Sequence, residues 1–327
     1  MPFDRYYGGK PKLQEFIIRS YATPAQLERD LRIKKLTAAE GLTTLPASLS
    51  QDQSITQHSL LLNAATMVFF KTSAGVLGDT SVRQALVSST DVPKLIRSLD
   101  YATHQVREPL LQGQLAYDPT TVQAGFDLKH ANQLLDQAGW LAGHDGAIRS
   151  KDGKPLRFTL TAGDSPEYRS ICQQLKTAWR AAGVDLQVQF QDPTNFQSTL
   201  SSHQYDALLY GISIGTDPDV FVYWDSSQAD LRSANRLNLS EYKNASADAA
   251  LEAGRTRLSP ALRVIKYKPF LQAWQQDAPA LGLYQPRVLY ITSGAVSGLT
   301  DHPVNSASDR YFGVQNWQIR QAKVTNQ

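Results

Sequence analysis

One cysteine, Cys172, stands in 327 residues, so no disulfide can close within the chain. Ser170, Ile171, Gln173 and Gln174 around it carry no basic group that would lower the thiol pKa. It reads as a small core residue and not as a nucleophile. No apolar run approaches the ~20 residues of a membrane-crossing helix. Neither sign of charge dominates: 33 Lys and Arg face 30 Asp and Glu. Without a basic block, nucleic acid is not the expected partner. The histidines at positions 58, 104, 130, 144, 203 and 302 never stand four apart, so they make no metal pattern and read as surface or loop residues. No nucleophile elbow, phosphate loop or dinucleotide fingerprint is present. Gly8-Gly9 runs into Lys10-Pro11 and reads as a turn. There is no internal repeat and no low-complexity segment. The opening MPFDRYYGGK lacks the apolar core of a signal peptide and reads as a chain entered partway through.

What is present is a globular composition, 42% hydrophobic and 19% charged, long enough for one large or two ordinary domains. The chain is organised around Lys154 to Gly211. Leu156, Phe158, Leu160 and Ala162 alternate with polar residues, which predicts a strand with one buried face. Ser165 stands as helix cap, Pro166 opens the first turn and Glu167 meets the positive helix end. Ile171, Leu175, Ala178, Trp179 and Ala182 make one apolar face, and Gly183 closes the helix. Val184, Leu186, Val188 and Phe190 alternate again, so the unit is strand–helix–strand with parallel strands. Asp192-Pro193 opens a further helix. Tyr205 to Gly211 predicts a strand apolar enough to be central in a sheet.

Elsewhere, Phe16–Ile18 predicts a short strand, and Thr23-Pro24 starts a helix carrying Leu27, Leu31 and Ile33. Leu60–Leu62 and Met67–Phe70 predict two strands of one sheet with a bend at Asn63-Ala64-Ala65. Thr72–Asp79 reads as a loop and domain crossing. Helices are expected over Ser81–Ser89, from Asp91, and from Asp127 to Gly139. Arg107–Val122 reads as a long loop. His144-Asp145-Gly146 and Lys151-Asp152-Gly153 are hairpin turn signals. Ser233–Asn244 reads as polar surface chain. A helix over Ala247–Leu258 is followed by one from Ser259-Pro260 that Pro269 should kink or split. Two short strands flank Pro286, and the aromatic tail Asp309–Trp317 should pack down.

One acidic cluster stands out, Asp217-Pro218-Asp219, directly after the Tyr205–Gly211 strand. Read sharply, it is a catalytic or ligand-gripping pair; read blandly, it is an Asx-Pro turn. Its place matters, because ligands of open α/β sheets gather outside the carboxyl ends of the strands. Phe221, Tyr223 and Trp224 either wall a pocket or pack a loop. Tyr210, Ser213 and Thr216 complete the candidate ligand-binding set.

The chain resembles a known family. Tyr7-Gly8-Gly9-Lys10-Pro11-Lys12-Leu13 resembles Y-x-G-x-P-x-L before a strand, and Asp79–Leu86 (DTSVRQAL) resembles D-x-x-V-R-x-A-L. Tyr117-Asp118-Pro119 with Ala131–Trp140 (ANQLLDQAGW) resembles A-x-x-L-L-x-E-A-G-aromatic. Lys151–Gly211, Asp277–Tyr284 and Val296-Ser297-Gly298 fit later segments in the same order. Together they are similar to family 5 of the bacterial extracellular solute-binding proteins, the oligopeptide-, dipeptide- and nickel-binding group serving ABC importers. The resemblance implies an α/β fold of the periplasmic-binding-protein type (type II), in which a mixed sheet is flanked by helices. It implies 81–276 as a second lobe, 1–80 and 277–327 as a partial first lobe, and crossings near Thr72–Asp79 and Pro279–Pro286. It implies ligand trapping in an interlobe cleft, without enzyme activity and without a cofactor. The implied protein is a monomer, periplasmic or lipid-anchored at the cell surface, with a peptide or other small solute and the transporter's membrane subunits as partners. Family members begin well before the Gly-Gly-Lys-Pro motif, so part of the first lobe is absent and this chain should bind ligand weakly or not at all. Peptide binders of the family carry Trp-x-x-Asp after the strand ending here at Gly211, where the acid holds the peptide amine. Here Ile212 takes the Trp place, no acid follows at the family spacing, and Asp217 stands a residue or two beyond.

Two other readings stay open. One is a hydrolase using Asp217 and Asp219 as acid and base, which needs both carboxyls facing one cleft, roughly 5–10 Å apart. The other is a truncated lobe with only a protein-interaction role.

Overall fold

A computed structural model describes residues 5–143, 147–233, 235–294 and 296–319, so the turn expected at His144–Gly146 lies outside the described residues. The helices are α1 (Pro24–Arg32), α2 (Thr80–Ser88), α3 (Val92–Ile96), α4 (Leu128–Gln137), α5 (Pro166–Ala181), α6 (Pro193–Ser202), α7 (Phe221–Trp224), α8 (Ala245–Arg255) and α9 (Pro260–Asp277). The strands are β1 (Ala38–Glu40), β2 (Ile55–Leu61), β3 (Ala64–Phe70), β4 (Ser150–Lys151), β5 (Lys154–Pro155), β6 (Arg157–Gly163), β7 (Asp185–Gln191), β8 (Ala207–Ser213), β9 (Ala280–Tyr284), β10 (Arg287–Ser293), β11 (Val296–Ser297) and β12 (Gln318–Ile319). They fall into two compact units, a smaller one of 1–62, 100–102 and 287–327 and a larger one of 63–99 and 103–286.

The larger unit holds a five-stranded sheet in the order β7-β6-β8-β3-β9. β6 pairs parallel with β7 and with β8, as the strand–helix–strand pattern predicts. β8 is central, and β3 pairs antiparallel with β8 and β9, so the sheet is mixed. Most caps expected from the sequence form: the Ser165 side chain accepts from the Tyr168 N–H, and Asp91, Asp127 and Asp192 cap helices likewise, whereas Ser259 makes no side-chain cap bond and α2 is capped by Asp79, read above as loop. Gly183 follows α5 at φ +83°, the left-handed turn that favours glycine. Trp179 on α5 is wholly buried against Phe158 and Phe70, and its indole N–H donates to the Leu86 carbonyl and Thr90 hydroxyl. α8 packs tightly on α9, because a Cβ at Gly254 would stand 2.7 Å from the Tyr267 ring.

Several expectations change. Leu60–Leu61 and Met67–Phe70 do not share a sheet: β2 pairs with β10 in the smaller unit, and β3 pairs with β8 and β9 in the larger. Alternation marks a strand but not its partner. β3 and Thr72–Asp79, grouped above with the first lobe, lie inside the larger unit. Ser233–Asn244 is surface chain only in part: Asn235, Arg236 and Lys243 are exposed, but Asn238, Leu239, Ser240 and Tyr242 are buried, with Asn238 donating to the Asp225 and Tyr242 carbonyls. His203 is 1% exposed, with ring nitrogens 3.1 Å from the Arg236 carbonyl and 3.3 Å from the Glu241 carboxylate. α9 runs through Pro269 as one helix. Tyr267, Phe270, Leu271 and Trp274, buried on both sides of the proline, offset the missing backbone bond. Ile33 lies past the end of α1 and is 59% exposed. Cys172 is buried as expected, and burial pushes its thiol up to about 12.

In the smaller unit β1, β10 and β2 form an antiparallel three-stranded sheet with β1 at one edge. Leu27, Leu31, Leu49 and Ile291 form its core. Phe16–Ile18 forms no strand there, and these residues are 43%, 61% and 70% exposed. In the tail, Trp317 packs down while Phe312 is 79% exposed.

Candidate functional site

The carboxyl ends of β6, β7, β8 and β9 and the amino end of β3 share one end of the five-stranded sheet. From that end the chain leaves β8 at Ser213 and runs through the acid–aromatic stretch. The Ile214 and Gly215 N–H groups both donate to the Asn63 carbonyl, at 2.9 and 3.0 Å. Gly215 takes φ +76°, which turns the chain away from the sheet, and its carbonyl accepts from Gln114 Nε2 at 2.6 Å. Asp217 and Asp219 then close a short turn, with the Asp219 N–H on the Asp217 carbonyl.

Each carboxylate has its own arginine. Arg263 Nη2 on α9 lies 2.6 Å from Asp217 Oδ1, and Arg255 Nη2 on α8 lies 2.8 Å from Asp219 Oδ2. The Arg255 guanidinium also lies 4.2 Å over the Phe221 ring, and Asp219 accepts from the Phe221 N–H. The Asp217 carboxylate raises the already high pKa of Arg263. Asp217 is 71% exposed and Arg263 only 13%. The turn is therefore stapled to two helices by ion pairs, one with its acid open to solvent.

The candidate residues separate into two groups. Tyr210, Phe221 and Tyr223 are half-buried at the sheet end, and Ser213, Thr216 and Asp217 are exposed. The Tyr210 ring packs 5.7 Å from Phe196, and the Tyr223 hydroxyl donates to the Ser213 carbonyl at 2.7 Å. Trp224 stands apart: it is wholly buried, stacked on Phe69 and edge-on to Trp274. It anchors the loop in the core and presents no face to solvent.

Residues that pattern reading missed complete this end. Tyr284 Oη donates to Glu167 Oε1 at 2.5 Å. Tyr168 is half-buried beside Thr66, and desolvation raises its phenol pKa. Glu108, in the 107–122 loop, is wholly buried; Oε1 accepts from the Asp118 N–H at 3.1 Å and Oε2 has no hydrogen-bond partner among the described residues. Burial pushes its carboxyl up to about 8. Partners such as Arg255 and Arg263 come from distant helices, and no local signal announces them. Among the described residues no trio of His, Cys, Asp or Glu could hold a metal ion.

The profile of bacterial extracellular solute-binding proteins, family 5 middle, matches residues 2–233. Protein XP55 of Streptomyces lividans is 26% identical over 298 residues, 90% of this chain and 54% of its own length. The structure of the oligopeptide-binding protein AppA of Bacillus subtilis with a nonapeptide aligns at TM-score 0.78 and 20% identity, over 98% of this chain and 63% of that one. NikZ of Campylobacter jejuni with Ni(L-His) aligns at 0.81 and 24%, over 96% and 64%. These structures show the type II periplasmic-binding-protein fold. The chain spans about half the length of the relatives it matches, 54% of one and 44% of another.

Proposed function

We propose, for a chain that belongs to family 5 of the bacterial extracellular solute-binding proteins, that it serves an ABC importer outside the cytoplasm and holds a peptide without covalent chemistry. The ligand is trapped between two lobes that close on it. The protein acts as a monomer, periplasmic or lipid-anchored, delivering its solute to the transporter's membrane subunits.

One observation carries the reading: Asp217 and Asp219 each engage a separate arginine at the sheet end where ligands of such folds gather. An acid–base pair needs one carboxyl held protonated and the other ionised on a common substrate. Asp217 and Asp219 are each paired with a separate guanidinium on a different helix, which suits a grip and not a pair of carboxyls working on one bond. The exposed Asp217–Arg263 pair offers both signs. A peptide ammonium can replace Arg263 on Asp217, and a peptide carboxylate can replace Asp217 on Arg263. Each such charge-assisted bond is worth about 1.5–3 kcal/mol. Tyr210, Ser213, Thr216, Phe221 and Tyr223 supply the surrounding wall.

The test is a thermal-shift series with peptide pools, nickel chelates and oligosaccharides, run beside a hydrolysis assay. Because binding by this chain is expected to be weak, peptides should raise Tm only at high concentration, by an amount that then grows as the logarithm of concentration over Kd. Asp217→Ala should abolish the rise. The absence of a shift with every peptide pool, or peptide turnover that Asp219→Asn removes, would contradict the proposal.

A further inference from the structure

Helix α9 is apolar on two sides. Tyr267, Phe270, Leu271 and Trp274 are buried in the larger unit, while Leu262, Val264 and Ile265 are exposed, Ile265 by 64%. At helical spacing Leu262, Ile265 and Pro269 fall on the face opposite the buried residues, with Lys266 on one flank and Lys268 on the other. The turn leading into this helix is open as well. Every residue from Arg255 to Leu262 is exposed, and Leu258, between α8 and α9, is 101% exposed, as open as in an extended peptide. Its side chain therefore stands clear of the surface. Charge here has one sign. From Ala253 to Gln276 there are five cations, Arg255, Arg257, Arg263, Lys266 and Lys268, and no acid. Arg255 and Arg263 engage Asp219 and Asp217, and Arg257, Lys266 and Lys268 are exposed beside the apolar residues.

We propose that the α8–α9 corner docks on an anionic lipid bilayer. Leu258, Leu262 and Ile265 enter the boundary between headgroups and acyl chains, and Arg257, Lys266 and Lys268 rest on the lipid phosphates. Exposed Leu and Ile among cations on one helix are the composition of an interfacial helix, whose binding combines apolar burial with attraction to anionic lipid. Long Lys and Arg stems let the charges stay at headgroup level while the apolar side chains sink deeper. Among the described residues no helix is long and apolar enough to cross a membrane, so the contact is with the bilayer surface. Charge and shape select this occupant. A second copy of the chain would set cations against cations across a two-fold axis. A folded partner would need a concavity matched to a side chain that stands clear of the surface, whereas a bilayer deforms around it. The proposal concerns the outer face of α9 and does not depend on a peptide binding at Asp217.

The test is cosedimentation of the full chain with vesicles of phosphatidylglycerol and phosphatidylcholine in equal parts, beside vesicles of phosphatidylcholine alone. The anionic vesicles should carry the chain down and the neutral ones should leave it in solution, with binding to the former falling as salt is raised. Leu258→Asp, at a position with no packing to lose, should lower partitioning about tenfold and leave the unfolding midpoint unchanged. Lys266→Glu combined with Lys268→Glu should lower it at least as far. Insertion is read from an environment-sensitive dye on Leu258→Cys, which labels selectively because Cys172 is buried. Its emission should move to the blue on anionic vesicles, while the same dye on Gln197→Cys, exposed on α6, should not move. Anionic vesicles that leave the chain in solution overturn the proposal, and so does an equal shift at both labelled positions. Dimers that Leu258→Asp dissolves would assign the face to a second copy, and retention on polyglutamate without vesicle binding would assign it to an acidic protein; either result overturns it.

Discussion

The two units differ in how completely each satisfies itself. In the larger, every residue of β3 is buried, and Trp179, Trp224 and Trp274 are enclosed by side chains from strands and helices on both faces of the sheet. In the smaller, a three-stranded sheet carries two small cores, one around Leu31 and Ile291 and one around Leu60 and Val304, while Phe16, Ile17 and Ile18 stand open to water. The lesson is that a strand-forming sequence does not make a strand by itself. Lys154–Gly211 folds as its periodicity predicts because every strand it specifies finds a neighbour within the chain. Phe16–Ile18 has the same kind of composition and no strand partner among the described residues.

The sharpest way to break this contrast is to cut into the larger core. Trp179→Ala removes a buried ring and two hydrogen bonds and should cost about 3–5 kcal/mol. Urea unfolding followed by circular dichroism measures it. A loss below about 1 kcal/mol would mean that the larger unit is no more tightly specified than the smaller.

Glu108 gives the next largest effect. Its folded carboxyl, near 8, lies above the ordinary value of 4.5, so the folded state binds the proton more tightly than the unfolded state. The associated stability is fully present below about pH 4.5 and is lost as pH rises through about 8, at up to ~1.4 kcal/mol per pH unit. Wild-type stability should therefore fall between pH 5 and 9 by a few kcal/mol. Glu108→Gln should flatten that slope and be the more stable protein at pH 9. Unfolding midpoints at the two pH values decide it.

The ion pairs at the loop should matter less. Asp219 and Arg255 are each more than a third exposed, so Arg255→Ala should cost no more than about 1 kcal/mol. Its clearer sign should be faster exchange of the amides from Gly215 to Phe221. Smallest of all is Ile17→Thr in the exposed segment, expected within about 0.5 kcal/mol of wild type by the same urea measurement. An equal loss at Ile17 and at Trp179 would erase the distinction between the units.

These contrasts also mark how far the sequence could be read. Caps at Ser165, Asp91, Asp127 and Asp192 were legible because each is a local bond between a side chain and an amide two or three residues on. The sheet membership of β2 and β3 was not, since a bend at Asn63 sends neighbouring strands into different units. Burial of Asn238 and Ser240 was hidden for another reason: their polar groups are satisfied by backbone carbonyls, so hydrophilic composition misleads. At the candidate site, Asp217 and Asp219 could be singled out from their place after a core strand. Their arginine partners, the core role of Trp224 and the buried Glu108 depend on tertiary packing and had no signature.

The central claim is that the segment leaving β8 grips a peptide and performs no chemistry on it. Hydrogen exchange of residues 212–224, with and without a saturating tripeptide mixture, addresses it most directly. The expected result is slowed exchange confined to that stretch and abolished by Asp217→Ala, with the peptides recovered intact by mass spectrometry. Unchanged exchange there while the peptides protect another part of the larger unit, or recovery of cleaved peptides, would contradict it.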